Sequence, residues 1–351
     1  MLNKGRRSRL LLFFGTLAIC FSAFAWWADL GLKRHHHPGL RTFISQWWNN
    51  WPKSFAMDPP VLELVVKDKG MDALQQVVDS ARARGVIMEE GNNYVKGEAT
   101  ANGVTFPVKL RIKGKMTDHV EGRKWSFRVI AKDSGAFLGM RRFSVQHPGT
   151  RNYLCDWFYH RLMRGEGIIA LRYGFCKVKL NGDDLGVYAY EEHFGEELLA
   201  NNHRPQGPIV RFDPSLFWQH RLNGIEGGPK TEDAYGTYQA AALDAYDSDE
   251  IAKDSTRKQD FERAMAVMDE FRRGKLKASE VFDVDRVGRQ LAIIDLVGGH
   301  HSMDWSDVKF FFDVERERFE PISYESFSAH PTTQLAGAYR VTGRAGECDD
   351  L

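Results

Sequence analysis

The segment His300-His301-Ser302-Met303-Asp304-Trp305-Ser306-Asp307 places two imidazoles and two carboxylates between a helical pattern that stops at Gly298-Gly299 and a strand-like run. His300, Asp304 and Asp307 have the spacing of one helical face, and two imidazoles with two carboxylates suit zinc, manganese or iron. The double glycine breaks that helix, so capping or a plain surface role is the competing reading for these acids. A further acid, Glu325, ends the strand-like segment Glu320-Pro-Ile-Ser-Tyr-Glu325, and a hairpin would return it towards Asp307. Paired carboxylates on a loop and a strand end suit magnesium, which takes one or two carboxylates together with phosphate oxygens and water. Cations able to grip phosphates lie upstream: Arg111, Lys113 and Lys115 in one strand and its exit, Lys124 and Arg128 in the next. Alternation puts Arg111 and Lys113 on one face, and Lys124 and Arg128, four apart, share a face. A solvated strand face is the plainer alternative for any one of them.

The elements that must position these groups are legible as periodicities. Val61 to Val66 alternates like a strand and Met71 to Val86 carries a helical pattern. Tyr94 to Ala101 and Val104 to Lys113 flank Asn102-Gly103, a strong hairpin signal because both turn positions need positive φ. Trp125 to Ala131 and Arg141 to Gln146 read as two more strands, Tyr153 to Arg164 as a helix ended by Gly165 and Gly167, and Tyr173 to Glu191 as a second hairpin turning near Asn181-Gly182. After Pro208 to Asp213 the composition shifts to polar loops and helices, with a polar excursion over Glu232 to Thr256. Arg257 to Arg273 and Asp283 to Val297 are helical, and Lys309 to Val314 with Phe319 to Tyr324 form a short hairpin. The tail from Ser328 has little pattern and is expected to be loose.

The chain of 351 residues is 43% hydrophobic and 27% charged, enough apolar content for a sizeable core. Forty-eight basic and 47 acidic residues leave a net charge of +1, which removes the global electrostatic argument for nucleic-acid binding, so any phosphate site must be local. Four cysteines without a CxxC pair argue against a structural zinc site or a disulfide framework. At the N-terminus, Lys4, Arg6, Arg7 and Arg9 precede an uncharged run from Leu10 to Trp27. That run reads as a transmembrane signal anchor or, with cleavage after Ala23-Phe24-Ala25, as a signal peptide. Both send the rest of the chain outward. His35-His36-His37 reads as polar linker, because three adjacent side chains diverge. The aromatic stretch Phe43 to Trp51 reads equally as a segment lying on a membrane surface or one packed on the domain.

Taken together, these residues resemble the CotH kinase family, named for a spore-coat protein whose fold is an atypical, reduced version of the two-lobed protein-kinase design. The resemblance spans most of Val61 to Phe327. It is carried by Leu110-Arg-Ile-Lys-Gly114, by Lys124-Trp-Ser-Phe-Arg128 and, most specifically, by the NGxxxGVYxxxE hairpin within Lys179 to Glu192. Gly207 to Asp213 looks like the strand entering the second lobe; Trp305 to Phe311 and Pro321 to Glu325 look like the family's loop and metal-binding strand end.

The resemblance implies an α+β, two-lobed kinase-like fold, with an antiparallel-sheet N-lobe over 60–206 and a more helical C-lobe over 207–351, after a basic flank 1–9, an apolar segment 10–27 and a linker 28–59. It implies ATP-dependent phosphoryl transfer, which rests on positioning and electrostatic stabilisation of the moving phosphoryl group. In that scheme Lys124, with Arg111 or Lys113, neutralises the nucleotide phosphates; Glu192 orients the cation; Asp304 positions or deprotonates the acceptor hydroxyl; Asp307 and Glu325 hold Mg2+ or Mn2+. Two positions depart from the family pattern, with Asp307 where kinase-like loops carry Asn and Glu325 where the family carries Asp. The chain ends 26 residues after Glu325, leaving room for a shortened C-lobe. The expected protein is an extracytoplasmic, membrane-held kinase-like protein acting on protein Ser/Thr hydroxyls. The alternatives are a degenerate scaffold binding an envelope or coat partner, and a metal-dependent hydrolase built on His300, His301 and the nearby acids.

Overall fold

Two hairpins turned by Asn-Gly, with positive φ at both residues of each turn, set the frame of the structure, a computed structural model. It describes residues 4–34, 39–88, 93–219 and 241–326. The chain divides into two compact units, Met1–Pro59 and Pro60–Leu351. The first contains α1 (Lys4–Arg34) and α2 (Leu40–Phe55). Within α1, Leu12–Arg34 is long and apolar enough to cross a membrane, as an anchor or a signal sequence would be.

The second unit is α+β. It opens with β1 (Val61–Val66), α3 (Asp68–Arg84), β2 (Val95–Ala101), β3 (Val104–Ile112), β4 (Phe127–Ala131) and β5 (Arg142–Gln146). Then follow α4 (Cys155–Gly165), the two-residue β6 (Ile169–Ala170), β7 (Tyr173–Leu180) and β8 (Asp183–Glu192). The expected antiparallel-sheet N-lobe takes the form of a barrel: seven strands close in the order β1-β2-β3-β4-β5-β8-β7. Its seam is the parallel pair β1·β7, in which Leu62 faces Val178. Asn181 ties that seam: its Oδ1 accepts from the Val66 amide at 2.8 Å and its Nδ2 donates to the Val66 carbonyl at 2.9 Å. Alternation fills the barrel with Leu62, Leu64, Leu110, Phe127, Val129, Val145 and Tyr188.

Besides two four-residue helices, Ser248–Ile251 and Ala278–Val281, there follow α5 (Glu196–Asn201), β9 (Ile209–Phe212), β10 (Leu243–Ala245), α6 (Ser255–Arg272), α7 (Val284–Val297), β11 (Lys309–Asp313) and β12 (Arg318–Ser323). A five-stranded sheet runs β10-β9-β11-β12-β6. All five residues of β11 are buried because both faces are covered. Phe310 and Phe312 pack with Ala264 and Met268 of α6, while Phe311 packs with Leu198 and Leu199 of α5. The tail from Ser328, residues 232–240 of the Glu232 to Thr256 excursion and the His35 to His37 run lie outside the described residues.

Candidate functional site

Where β3 leaves the barrel, the side chain of Lys113 is carried to its outer face and is only 4% exposed. Its Nζ donates to Gln146 Oε1 at 2.7 Å and to Glu191 Oε1 at 2.9 Å. Gly114 then turns the chain at φ +103°, and the His119 ring sits where a Cβ would be, 2.0 Å from that position. His119 is joined to Ser126 through Nδ1 and Oγ at 2.9 Å, and the Ser126 carbonyl accepts from the Lys113 amide at 2.8 Å. Burial pulls the Lys113 ammonium down to about 8, with Glu191 working the other way. Burial alone would raise Glu191, but Lys113 and Arg151 outweigh it and hold this carboxyl at about 2.

Arg151, buried just ahead of α4, links this pair to the second sheet. Its Nε lies 3.5 Å from Asp156 Oδ2 and 4.0 Å from Glu191 Oε2, and its Nη2 donates to Glu325 Oε1. Glu325 sits just past β12 at φ +34°, a conformation a non-glycine residue adopts only when its surroundings impose it. Two contacts do so: the Arg151 ion pair on its side chain, and the amide and hydroxyl of Ser326, which both donate to Asp156 Oδ1. Burial pushes the Asp156 carboxyl up to about 6, with Arg151 opposing.

Beyond Glu325 lies the 300–307 segment. Residues 300–303 form one 3-10 turn and the chain then folds back through Asp304, whose carbonyl accepts from the Asp307 amide at 2.7 Å. His301 Nε2 stands 3.4 Å from Asp307 Oδ2 and 3.9 Å from Glu325 Oε2. His301, Asp304 and Asp307 each offer a ligand atom within 4.8 Å of the others. Burial, and then the nearby Glu325 carboxylate, push Asp307 up to about 6. Converging, partly buried carboxylates that repel one another are a donor set a divalent cation would relieve, so the chemistry here fits such an ion. Lys309 borders it, donating to the Ser306 carbonyl at 2.8 Å and lying 5.2 Å from the centre of the Tyr324 ring.

The CotH kinase protein family matches residues 110–305, more than half of the chain. The chain belongs to the CotH kinase family. No curated protein matches it. The matched span opens on the Leu110 to Gly114 motif, which delivers Lys113, and includes the whole β7–β8 hairpin; Asp307, Lys309 and Glu325 lie just beyond it.

Against this cluster the residues singled out from the sequence divide in two. Lys113, Asp304, Asp307 and Glu325 come together. Arg111 is on the neighbouring part of the outer face, opposite Arg128 in the strand register and stacked over Tyr94 at 5.4 Å. Arg128 donates to Nδ1 of His193, which burial and then Arg128, Arg142 and Arg111 hold well below its ordinary value, so the ring is neutral.

Glu192 and Lys124 stand elsewhere. Glu192 accepts from the Arg172 amide at 2.9 Å and pairs with the Arg172 guanidinium; it is the adjacent Glu191 that meets a lysine. Successive residues of β8 point to opposite faces, so one position decides which glutamate reaches the cluster. Lys124 precedes β4 rather than lying in it; its Nζ donates to the Val187 carbonyl at 3.2 Å and lies 5.7 Å from the centre of the Tyr188 ring. His300 joins Asp295 at 3.0 Å, so His301, not His300, completes the triad with Asp304 and Asp307. Arg151, Asp156 and Glu191 are the members the sequence reading missed. The alternation of β8 carried a signal for Glu191, whereas Arg151, in a loop-like stretch and 174 residues from its Glu325 partner, carried none.

Proposed function

We propose that this CotH family member is a membrane-held kinase-like protein that binds ATP with Mg2+ or Mn2+ and transfers phosphate to protein Ser/Thr hydroxyls outside the cytoplasm. The observation that carries this reading is one guanidinium, Arg151, reaching both a buried Lys–Glu pair and the carboxylate that approaches Asp307. Phosphoryl transfer needs this combination: a fixed cation for the phosphates and a carboxylate set for the metal. In this reading the barrel serves as the N-lobe and the five-stranded sheet with its helices as the C-lobe.

The geometry supports the following roles in this reading. Lys113, held in place by Glu191 and Gln146, offers its remaining hydrogen to a phosphate oxygen. Arg128 and Lys309 add positive potential on either side. Asp307 and Glu325, with His301 beside them, would hold the divalent ion, which when bound neutralises charge developing on the phosphoryl oxygens. Asp304 accepts the proton of the acceptor hydroxyl.

One observation favours a second reading. Glu325 is already paired with Arg151, which would compete with metal and suits a scaffold that binds an envelope partner without transfer. Calorimetric titration of ATP into the purified chain, with and without Mn2+, separates the two. Saturable, metal-dependent binding that Lys113→Met abolishes is the expected result. No binding by a folded protein would overturn the nucleotide site and leave the scaffold.

A further inference from the structure

α2 carries an apolar face that nothing among the described residues covers. None of its residues is buried, and Phe43, Ile44, Trp47, Trp48, Trp51 and Phe55 are 46–74% exposed. At 100° per residue these six share an arc of about 140°. Trp47 stacks on Trp51 with ring centres 5.4 Å apart, and Trp51 meets Phe55 edge-on at 5.3 Å, so the face is one continuous aromatic ridge. The opposite face carries Thr42, Ser45, Gln46, Asn49 and Lys53. The charged residues of the helix are Arg41 and Lys53, both basic.

We infer that α2 lies in the headgroup layer of the same bilayer that α1 crosses, with its aromatic ridge towards the acyl chains. This rests on the reading of α1 as an anchor. Three features select lipid as the occupant. Tryptophan favours the boundary between headgroups and acyl chains, where its ring is apolar and its N–H finds water. A helix with an apolar face, a polar face and only basic charge suits an anionic lipid surface. The third feature is continuity. The Asp29 carboxylate, near the end of α1, accepts from the Leu40 amide at 2.7 Å and pairs with Lys33 at 2.8 Å. The first turn of α2 is thereby tied to the end of the apolar segment, at the level where a spanning helix leaves the hydrocarbon. The arrangement gives the chain a second, in-plane hold on the membrane beside the span.

The test uses the full chain reconstituted in vesicles of phosphatidylcholine and phosphatidylglycerol, with lipids brominated either near the headgroup or deep in the chain as quenchers of tryptophan emission. Five tryptophans, Trp26, Trp27, Trp47, Trp48 and Trp51, would then lie near the membrane. Replacing Trp47, Trp48 and Trp51 together with leucine, which keeps the face apolar, is expected to cut shallow quenching about twofold, while Trp26→Phe with Trp27→Phe leaves most of it. Equal shallow quenching in the wild type and the triple variant would overturn the inference and mean that protein covers the ridge. Deep rather than shallow quenching would overturn it too. Release of the wild-type chain from the vesicles by alkaline carbonate would overturn the anchor, and this placement would fall with it; retention without shallow quenching of α2 sinks the placement alone.

Discussion

An ammonium and a carboxylate that are both almost entirely out of water need charged partners to remain ionised, and Lys113 and Glu191 are such a pair, with Arg151 adding to the hold on Glu191. Removing one partner strands the other, so Lys113→Met is expected to lower unfolding free energy by about 3–5 kcal/mol in urea titrations. Adding Glu191→Gln should restore much of that loss, whereas Lys124→Met, on a partly exposed residue, should stay within about 0.5 kcal/mol. The pH dependence follows from the same pair. Glu191 is held at about 2 against an ordinary 4.5, so its contribution is complete above about 4.5 and is lost as the pH falls towards 2. Asp156 runs the other way: raised to about 6, it takes up a proton in the folded state first, and stability gains as the pH falls from 6 to 4. Urea midpoints followed from pH 7 to pH 2 should therefore show the steep acid loss below 4.5 flattened in Glu191→Gln. An unchanged acid limb in that variant would remove the ion pair from the account.

Elements were more legible than pairings. Nearly every strand and long helix of the second unit announces itself by alternation, by three- and four-residue spacing, or by Asn-Gly at a turn, because those signals are local. The two-residue β6 and three-residue β10 are too short to show a period. Closure of the barrel leaves no local trace either, since Leu62 finds Val178 through a parallel pairing across more than a hundred residues. The same limit applied to the site. Lys113, Asp304, Asp307 and Glu325 were visible as residue types near element ends, but the choice of Glu192 over Glu191 turned on which face of β8 is inward. Asn181 joins the two scales, being both a turn residue and the bolt of the seam. Asn181→Ala keeps neither the favoured positive φ nor the two bonds to Val66, and is expected to cost about 2–3 kcal/mol. Amide exchange offers the sharper check: protection should fall along β1 and β7 while β11 and β12 keep theirs. Uniform loss of protection would mean that the seam is not a separable element.

At the scale of the whole second unit, the barrel and the five-stranded sheet meet at Arg151, and the carboxylates it touches come from α4, β8 and the end of β12. A divalent ion held by Asp307 and Glu325 would favour the arrangement in which those elements are together. Binding to the folded state alone stabilises by RT ln(1 + [ion]/Kd), about 2.7 kcal/mol at a hundred times the dissociation constant. For a unit of this size each kcal/mol moves the melting temperature by about 2–4 °C, so saturating Mn2+ should raise it by roughly 5–10 °C. Asp307→Asn should abolish the rise while barely changing the melt without metal, because Asp307 ionises against burial and against Glu325 and so adds little to the apo fold. Arg151→Met should do the reverse, lowering the melt without metal by stranding Asp156, Glu191 and Glu325 together. A melt indifferent to Mn2+ in the wild type would place the protein among scaffolds that keep the CotH fold and its buried ion pairs without the metal chemistry. A rise that survives in Asp307→Asn would move the ion to a different set of ligands.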